Sequence, residues 1–122
     1  MELQLVSLEQ AKKLKELGFD WFVNLNYFRN ETMINKSVSD FNYNKDIDFT
    51  SAPPIALALK WFRDVKGVLN SVNISGQDAN HYNIWYEYIT PNSYEQSTPF
   101  LYYEECESAL LDALIEYVEE QK

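Results

Sequence analysis

The residues that most directly suggest covalent chemistry are the single cysteine, Cys106, and the single histidine, His81. A cysteine nucleophile needs a nearby group, such as an imidazole, that favours the thiolate. Cys106 lies on the apolar side of a predicted helix, and Glu104, Glu105 and Glu107 beside it oppose thiolate formation. His81 stands next to a turn at the start of a predicted strand. We therefore predict a buried structural cysteine, a solvated or locally hydrogen-bonded histidine, and no catalytic residue.

Metal and nucleotide chemistry find little support in the sequence. Asp46 and Asp48 form an Asp-x-Asp pair of hard oxygen ligands that suits a divalent cation, but no third ligand is identifiable. The chain contains only three glycines, which form no phosphate-cradling loop and no dinucleotide fingerprint. We predict no metal site and no cofactor, and we expect the chain not to be an enzyme.

Aromatic residues on the last long predicted strand form a candidate stacking platform for a base or a sugar. Three of them share one face, and the tryptophan lies on the other; the four are Tyr82, Trp85, Tyr86 and Tyr88. The alternative is a core of tyrosines whose hydroxyls reach solvent, and the sequence favours this alternative.

The last predicted helix carries an acidic stripe that contains no compensating lysine or arginine, formed by Glu105, Asp112, Glu116 and Glu119. Helical spacing places these four side chains within roughly 60° of one another, opposite the apolar side. The stripe is a candidate docking face or an imitation of a phosphate backbone. The simpler interpretation is a solvated surface, or one neutralised by Lys12, Lys13 and Lys15.

Charge and composition limit the class of protein. The chain has 122 residues, 46% of them hydrophobic, and a formal net charge of −9. Residues 87–122 hold nine acidic side chains and one lysine, so most of the acidity belongs to the C-terminal segment. Direct nucleic-acid binding is disfavoured because phosphate recognition uses clustered lysine and arginine. With one cysteine, no leader pattern and no long apolar run, we expect a single cytoplasmic domain without a membrane segment.

Three helices are predicted from apolar periodicity and from their end signals. The central one covers residues 51–67, with Ser51 as its N-cap, Pro53 and Pro54 in its first turn, and Gly67 as its end. Its wide apolar side predicts burial on more than one side, including Trp61 and Phe62. A capping box at Ser7 and Gln10 begins a short helix over residues 8–17. The third helix spans residues 103–120, and its predicted core side contains Cys106, Ala109, Leu110, Ala113, Leu114, Tyr117 and Val118.

Alternating apolar residues predict strands at residues 21–29, 68–74 and 82–90, the last two forming a hairpin. A further strand is expected within residues 38–49, and residues 92–99 are interpreted as a polar connection. The predicted fold is a two-layer α+β domain, with three helices mostly on one face of a small antiparallel sheet.

Three segments together carry a family resemblance: SLEQAKKLKELGFD, SAPPIALALKWFRDVKG and YYEECESALLDAL. They resemble a group of short proteins, without an assigned activity, from Bacteroides-type bacteria and their phages or mobile elements. In that group the middle block commonly reads Ser-Ala-Pro-Ser/Thr, and a serine or threonine precedes the Tyr-Glu-Glu of the last helix. Here Pro54 and Tyr102 replace those hydroxyl residues. The resemblance implies a source and a fold but names no reaction.

These observations leave three hypotheses for function. The leading one is a non-enzymatic accessory protein, of phage or mobile-element origin, that binds another protein. The second is an acidic mimic of nucleic acid that blocks a DNA-binding host defence factor. The third is a small enzyme with an unidentified substrate. A pocket that contains His81 or the Asp46 and Asp48 pair would favour the enzyme.

Overall fold

Three helices are separated by two groups of antiparallel strands, which confirms the predicted α+β class. The computed structural model describes residues 3–78 and 80–121, apart from the side chain of residue 77. The elements in chain order are α1 (Leu8–Glu16), β1 (Val23–Phe28), β2 (Ile34–Phe41), a 3-10 turn (Tyr43–Lys45), β3 (Phe49–Ser51), α2 (Ile55–Asp64), β4 (Leu69–Asp78), β5 (His81–Ile89), β6 (Tyr94–Gln96) and α3 (Tyr103–Glu120).

The described strands divide between two sheets of three strands rather than forming one small sheet. One sheet has the order β2-β1-β3 and the other the order β4-β5-β6. The strand expected within residues 38–49 is β2, which begins earlier, at Ile34, and β3 was not predicted as a separate strand. The connection predicted over residues 92–99 contains β6, a three-residue strand paired with β5. Such short polar edge strands give almost no periodic signal.

Helix α1 begins and ends as the sequence predicts. The hydroxyl of Ser7 accepts from the Gln10 N–H while the Gln10 side chain accepts from the Ser7 N–H, so the capping box is present. Gly18 has a φ of 97°, and the Phe19 N–H donates to the Leu14 carbonyl, which is the Schellman arrangement. The apolar ridge of α1 packs into the core, with Ala11, Leu14 and Leu17 buried and Leu8 half-buried.

Helix α2 is present, but the predicted N-cap at Ser51 is wrong. Ser51 lies in β3, and the helix begins at Ile55 after Pro54, which provides no side-chain cap. The physical reason is the pair of prolines, because a residue before proline is pushed into extended conformation. Residues 52 and 53 each precede a proline, so the helix starts only after both. Gly67 does have positive φ, at 70°, as predicted.

The core is built around α2. Trp61 and Phe62 are buried as predicted, and the Trp61 ring meets the Phe19 ring edge-on, with centroids 5.5 Å apart. Val65, the C-cap residue of this helix, is about half exposed. The helix packs against α3 and β4.

Helix α3 has the predicted bounds, but its buried side is rotated from the predicted one. Leu111 and Ile115 are buried, whereas Ala109, Ala113, Tyr117 and Val118 are only half-buried. The rotation follows from packing on several sides, because α3 contacts α1, α2 and the β4-β5 hairpin. Tyr102 stands at the N-cap without a capping side-chain bond.

The β4-β5 hairpin is confirmed and is longer than predicted. Its register pairs Leu69 with Ile89 and continues to Gly76 with Tyr82, where an irregularity follows. At this end the strands approach so closely that a Cβ on Gly76 would lie 2.3 Å from the His81 carbonyl oxygen. Val72, Tyr86 and Tyr88 pack against the core from this hairpin. Among the described residues, no helix combines the length and apolar character needed to cross a bilayer.

Candidate functional site

Cys106 and His81 have surroundings that do not suit nucleophilic catalysis. Cys106 is completely buried. This burial, and to a smaller extent the negative charge of Glu107, raises the pKa of its thiol to about 11. His81 is exposed, with Nδ1 3.0 Å from Oδ1 of Asp78. The Asn80 N–H and the His81 imidazole lower the pKa of the Asp78 carboxyl. The imidazole is therefore engaged locally, as the sequence predicts.

Asp46 and Asp48 use their carboxylates for local structure. Asp46 Oδ1 accepts from the Asp48 N–H at 2.9 Å, and Asp48 Oδ1 lies 3.6 Å from Arg29 Nε. Within residues 3–78 and 80–121, no cluster of three histidine, cysteine or acidic side chains is arranged to hold a metal ion.

The four residues of the candidate aromatic platform are not brought together. The Tyr86 and Tyr88 rings stack on each other, with centroids 6.3 Å apart, and pack against the core. Trp85 lies on the opposite face of β5, where its indole N–H donates to Glu87 Oε1 at 2.8 Å. Tyr82 is exposed at the far end of the strand. This arrangement favours the interpretation of Tyr86 and Tyr88 as core residues.

The acidic stripe is partly engaged by α1. Gln10 Nε2 donates to Asp112 Oδ1 at 3.0 Å, and Lys13 Nζ lies 3.7 Å from Glu119 Oε1. Glu116 borders the same cleft between α1 and α3, whereas Glu105 is not among the residues that line it. Lys15 instead donates to the carbonyls of Asp46 and Phe49. The stripe thus helps to join two helices.

A groove that the sequence did not indicate lies at the turn end of the β4-β5 hairpin. Its volume is about 610 Å³, and it is bounded by the hairpin and by the segment that leads into α3. Five large side chains in its wall are unusually exposed: Leu101 (76%), Ile74 (61%), Tyr102 (60%), Tyr82 (46%) and Tyr103 (41%). Asp78 and Glu104 also line it and give it an acidic border.

The position at which the chain leaves β5 and enters α3 creates this groove. The Phe100 N–H donates to the Ile84 carbonyl at 2.7 Å, an antiparallel bridge at the outer edge of β5 that fixes where the chain leaves the sheet before α3 begins at Tyr103. The core-facing side of the hairpin is covered at Val72, Tyr86 and Tyr88. On the same face, Ile74, which pairs with Ile84, and Tyr82, which lies nearer the turn, are left largely exposed. The groove is therefore the uncovered end of a hydrophobic sheet face.

One signal in the sequence could have revealed the groove. Residues 100–103 read Phe-Leu-Tyr-Tyr, an apolar run that precedes the periodic part of α3. Apolar residues that precede the periodic part of a helix do not belong to its core-facing side. Three of these four residues are exposed.

A second group of aromatic side chains lies on the β2-β1-β3 sheet and was also missed. Neighbouring rings in this group have centroids 5.2 to 6.3 Å apart, in the order Phe22, Phe41, Tyr43, Phe49 and Phe28. Its rings contact one another, and Tyr43 packs against the core. This arrangement is typical of a satellite cluster beneath a long connection.

Comparison with known proteins found no family model, no curated protein and no solved structure that matches this chain.

The raised pKa of Cys106 gives a direct labelling prediction. At pH 8 a thiol with a pKa of about 11 is ionised on the order of one part in a thousand, against more than a tenth for an unfolded cysteine. We expect a chromogenic thiol reagent to label the native chain about a hundredfold or more slowly than the urea-unfolded chain. Equal rates would show that Cys106 is accessible.

The hydrogen bonds of Gln10 predict a pH-dependent effect of Gln10→Glu. The new carboxylate keeps the acceptor for the Ser7 N–H but replaces the donor to Asp112 with a second negative charge. We expect a loss of about 1–3 kcal/mol in the free energy of unfolding at pH 7. The loss should shrink at pH 4, because the repulsion raises the folded-state pKa of the new carboxyl, and protonation then removes it.

Urea denaturation at both pH values measures this effect. The exposed Gln121→Glu adds the same charge at the end of α3 and should change stability by less than about 0.5 kcal/mol. A loss for Gln10→Glu that is equal at pH 4 and pH 7 would contradict the proposed repulsion.

Proposed function

We propose that this chain acts by binding another protein, and that the partner docks in the groove at the turn end of the β4-β5 hairpin. The observation that carries the proposal is the set of five exposed apolar and aromatic side chains that line one concavity. Soluble proteins rarely keep large contiguous apolar patches exposed unless a partner covers them. Tyrosine is also enriched at the energetic centres of interfaces, and three of the five residues are tyrosines.

The border of the groove favours a partner that combines apolar and basic residues. Asp78 is held ionised, since its pKa is lowered, and Glu104 stands at the first turn of α3. Residues 87–122 are strongly acidic as a whole. Complementary charge of this kind steers a basic segment toward the groove and repels acidic ones. An apolar centre within a charged border is the usual anatomy of a protein interface.

The groove is a better docking surface than the acidic stripe. Asp112 and Glu119, two of the four stripe residues, already contact Gln10 and Lys13 of the same chain. A partner at the stripe would compete with these internal contacts, whereas the groove residues Leu101 and Tyr102 are free to be covered. The resemblance to proteins of Bacteroides-type bacteria and their phages or mobile elements adds support for an accessory role in the cytoplasm.

Leu101→Arg tests the proposal. Leu101 is the most exposed apolar residue of the groove, so the change should leave the melting temperature nearly unchanged while it places a charge in the docking surface. We expect the amount of partner captured from a lysate of a Bacteroides-type bacterium to fall about tenfold or more. Capture by the unchanged chain should weaken as salt rises, because the acidic border is exposed and screened.

Val38→Arg is the matched control. Val38 is fully exposed on β2, on the other sheet, and receives the same new charge. It should capture the same proteins as the unchanged chain. If Leu101→Arg and Val38→Arg both retain the full capture profile, the groove is not the docking surface and the proposal fails.

A further inference from the structure

Strand β4 forms one outer edge of its sheet. The pairing of β5 determines which β4 residues direct their backbone N–H and carbonyl groups toward that open edge. The Ile84 and Tyr86 carbonyls accept from the Phe100 and Ser97 N–H groups, on the β6 side. Backbone groups of successive residues point to opposite edges, so Trp85 must face β4. Trp85 pairs with Asn73.

The register then gives the outward-facing positions of β4. Ser71, Asn73 and Ser75 direct their N–H and carbonyl groups toward β5, and Val72 and Ile74 direct theirs toward the open edge. No hydrogen bond within the described parts of the chain reaches the outward backbone groups of Val72 and Ile74. The side chains of these same two residues lie on the face that carries the core and the groove.

This edge lacks the usual protection against strand pairing. Proteins commonly guard an exposed edge with lysine, proline, inward charges or an early bulge. Residues 69–77 contain no charged residue and no proline, and the irregularity comes only between Gly76 and Asp78. The opposite edge of the sheet is different, because β6 pairs with part of β5 there. The unprotected edge and the apolar groove therefore meet at Ile74.

We infer that the partner binds as an extended strand that pairs with β4 at Val72 and Ile74 and places alternate apolar side chains beside the groove. This inference rests on the proposed function and specifies the partner's conformation. Backbone hydrogen bonds to the edge supply affinity, and alternate side chains supply selectivity. The bound segment has apolar residues on the groove side, polar residues beside Asn73 and Ser75, and a basic residue near Asp78 and Glu104.

Charge favours a basic segment of another protein over a second copy of this chain. A second copy would bring a further net charge of −9 to the first, and this repulsion opposes association. A segment with lysine or arginine at its end meets Asp78 and Glu104 as opposite charges.

The probe for the test is a synthetic peptide in which valine alternates with threonine between lysine pairs at both ends. Two further versions carry N-methyl groups, one on every valine amide and the other on every threonine amide. Methylation removes the donors along one edge of the peptide and leaves its side chains in place. The two versions therefore serve as controls for each other.

Amide hydrogen exchange measured by NMR gives the readout at single residues. In the free chain, the Val72 and Ile74 amides should exchange fast, while those of Ser71, Asn73 and Ser75 are protected by β5. The unmodified peptide should slow exchange at Val72 and Ile74 by about tenfold or more. One methylated version should bind about tenfold more weakly, and the other should bind like the unmodified peptide.

Each other outcome overturns a defined part of the account. If all three peptides bind equally and perturb Leu101 and Tyr102 without protecting Val72 and Ile74, strand addition is wrong and the groove remains a docking site. If no peptide binds at millimolar concentration, the inference about strand addition by a basic segment is wrong, while the capture experiment with Leu101→Arg decides the proposed function independently. If Val72 and Ile74 become protected without peptide as the chain concentration rises and dimers form, a second copy occupies the edge.

Discussion

The hydrogen bond from the Phe100 N–H to the Ile84 carbonyl fixes the relation between the last helix and the long hairpin. It holds the chain against the outer edge of β5 at Ile84, midway along that strand, and α3 begins three residues later. The hairpin continues for several residues beyond that point, to the turn after Asp78. At about 3.3 Å per residue, β4 alone is roughly 30 Å long, and the helix covers only part of it. The uncovered length is a consequence of where the chain leaves β5.

Because α3 covers only part of the hairpin, the chain has a hydrophobic surface that it does not cover by itself. On the covered part, Tyr86 and Tyr88 stack and pack beneath α3 and the rest of the core. On the uncovered part, Ile74 and Tyr82 continue the same face into water. Burial of a large apolar side chain is worth about 1.5–3 kcal/mol, so leaving these residues exposed forgoes stability. A partner that covered this surface would remove that loss, and the adjacent unprotected edge of β4 would offer the same partner hydrogen bonds.

Local signals predicted the helices well because their ends depend on nearby residues. Ser7 and Gln10 formed the expected capping box, and the bounds of α3 agree with its apolar period. Ser51 failed as a cap because two consecutive prolines delay the helix, an effect that outweighs the usual preference for serine at an N-cap. The division into two sheets, the strand β6 and the groove depend on which distant segments meet. The Phe100 to Ile84 contact has no local pattern that encodes it, and the apolar run at residues 100–103 does not show which segment those side chains meet.

Mapping of backbone amide chemical shifts with the lysine-flanked valine and threonine peptide tests most directly whether the uncovered end of the hairpin is the functional surface. We expect the perturbed amides to be confined to the β4 edge from Val72 to Asp78, to Tyr82, and to residues 101–104. Perturbations centred instead on the acidic stripe of α3, near Asp112 and Glu116, or on the aromatic cluster around Phe22 and Phe41, would contradict it.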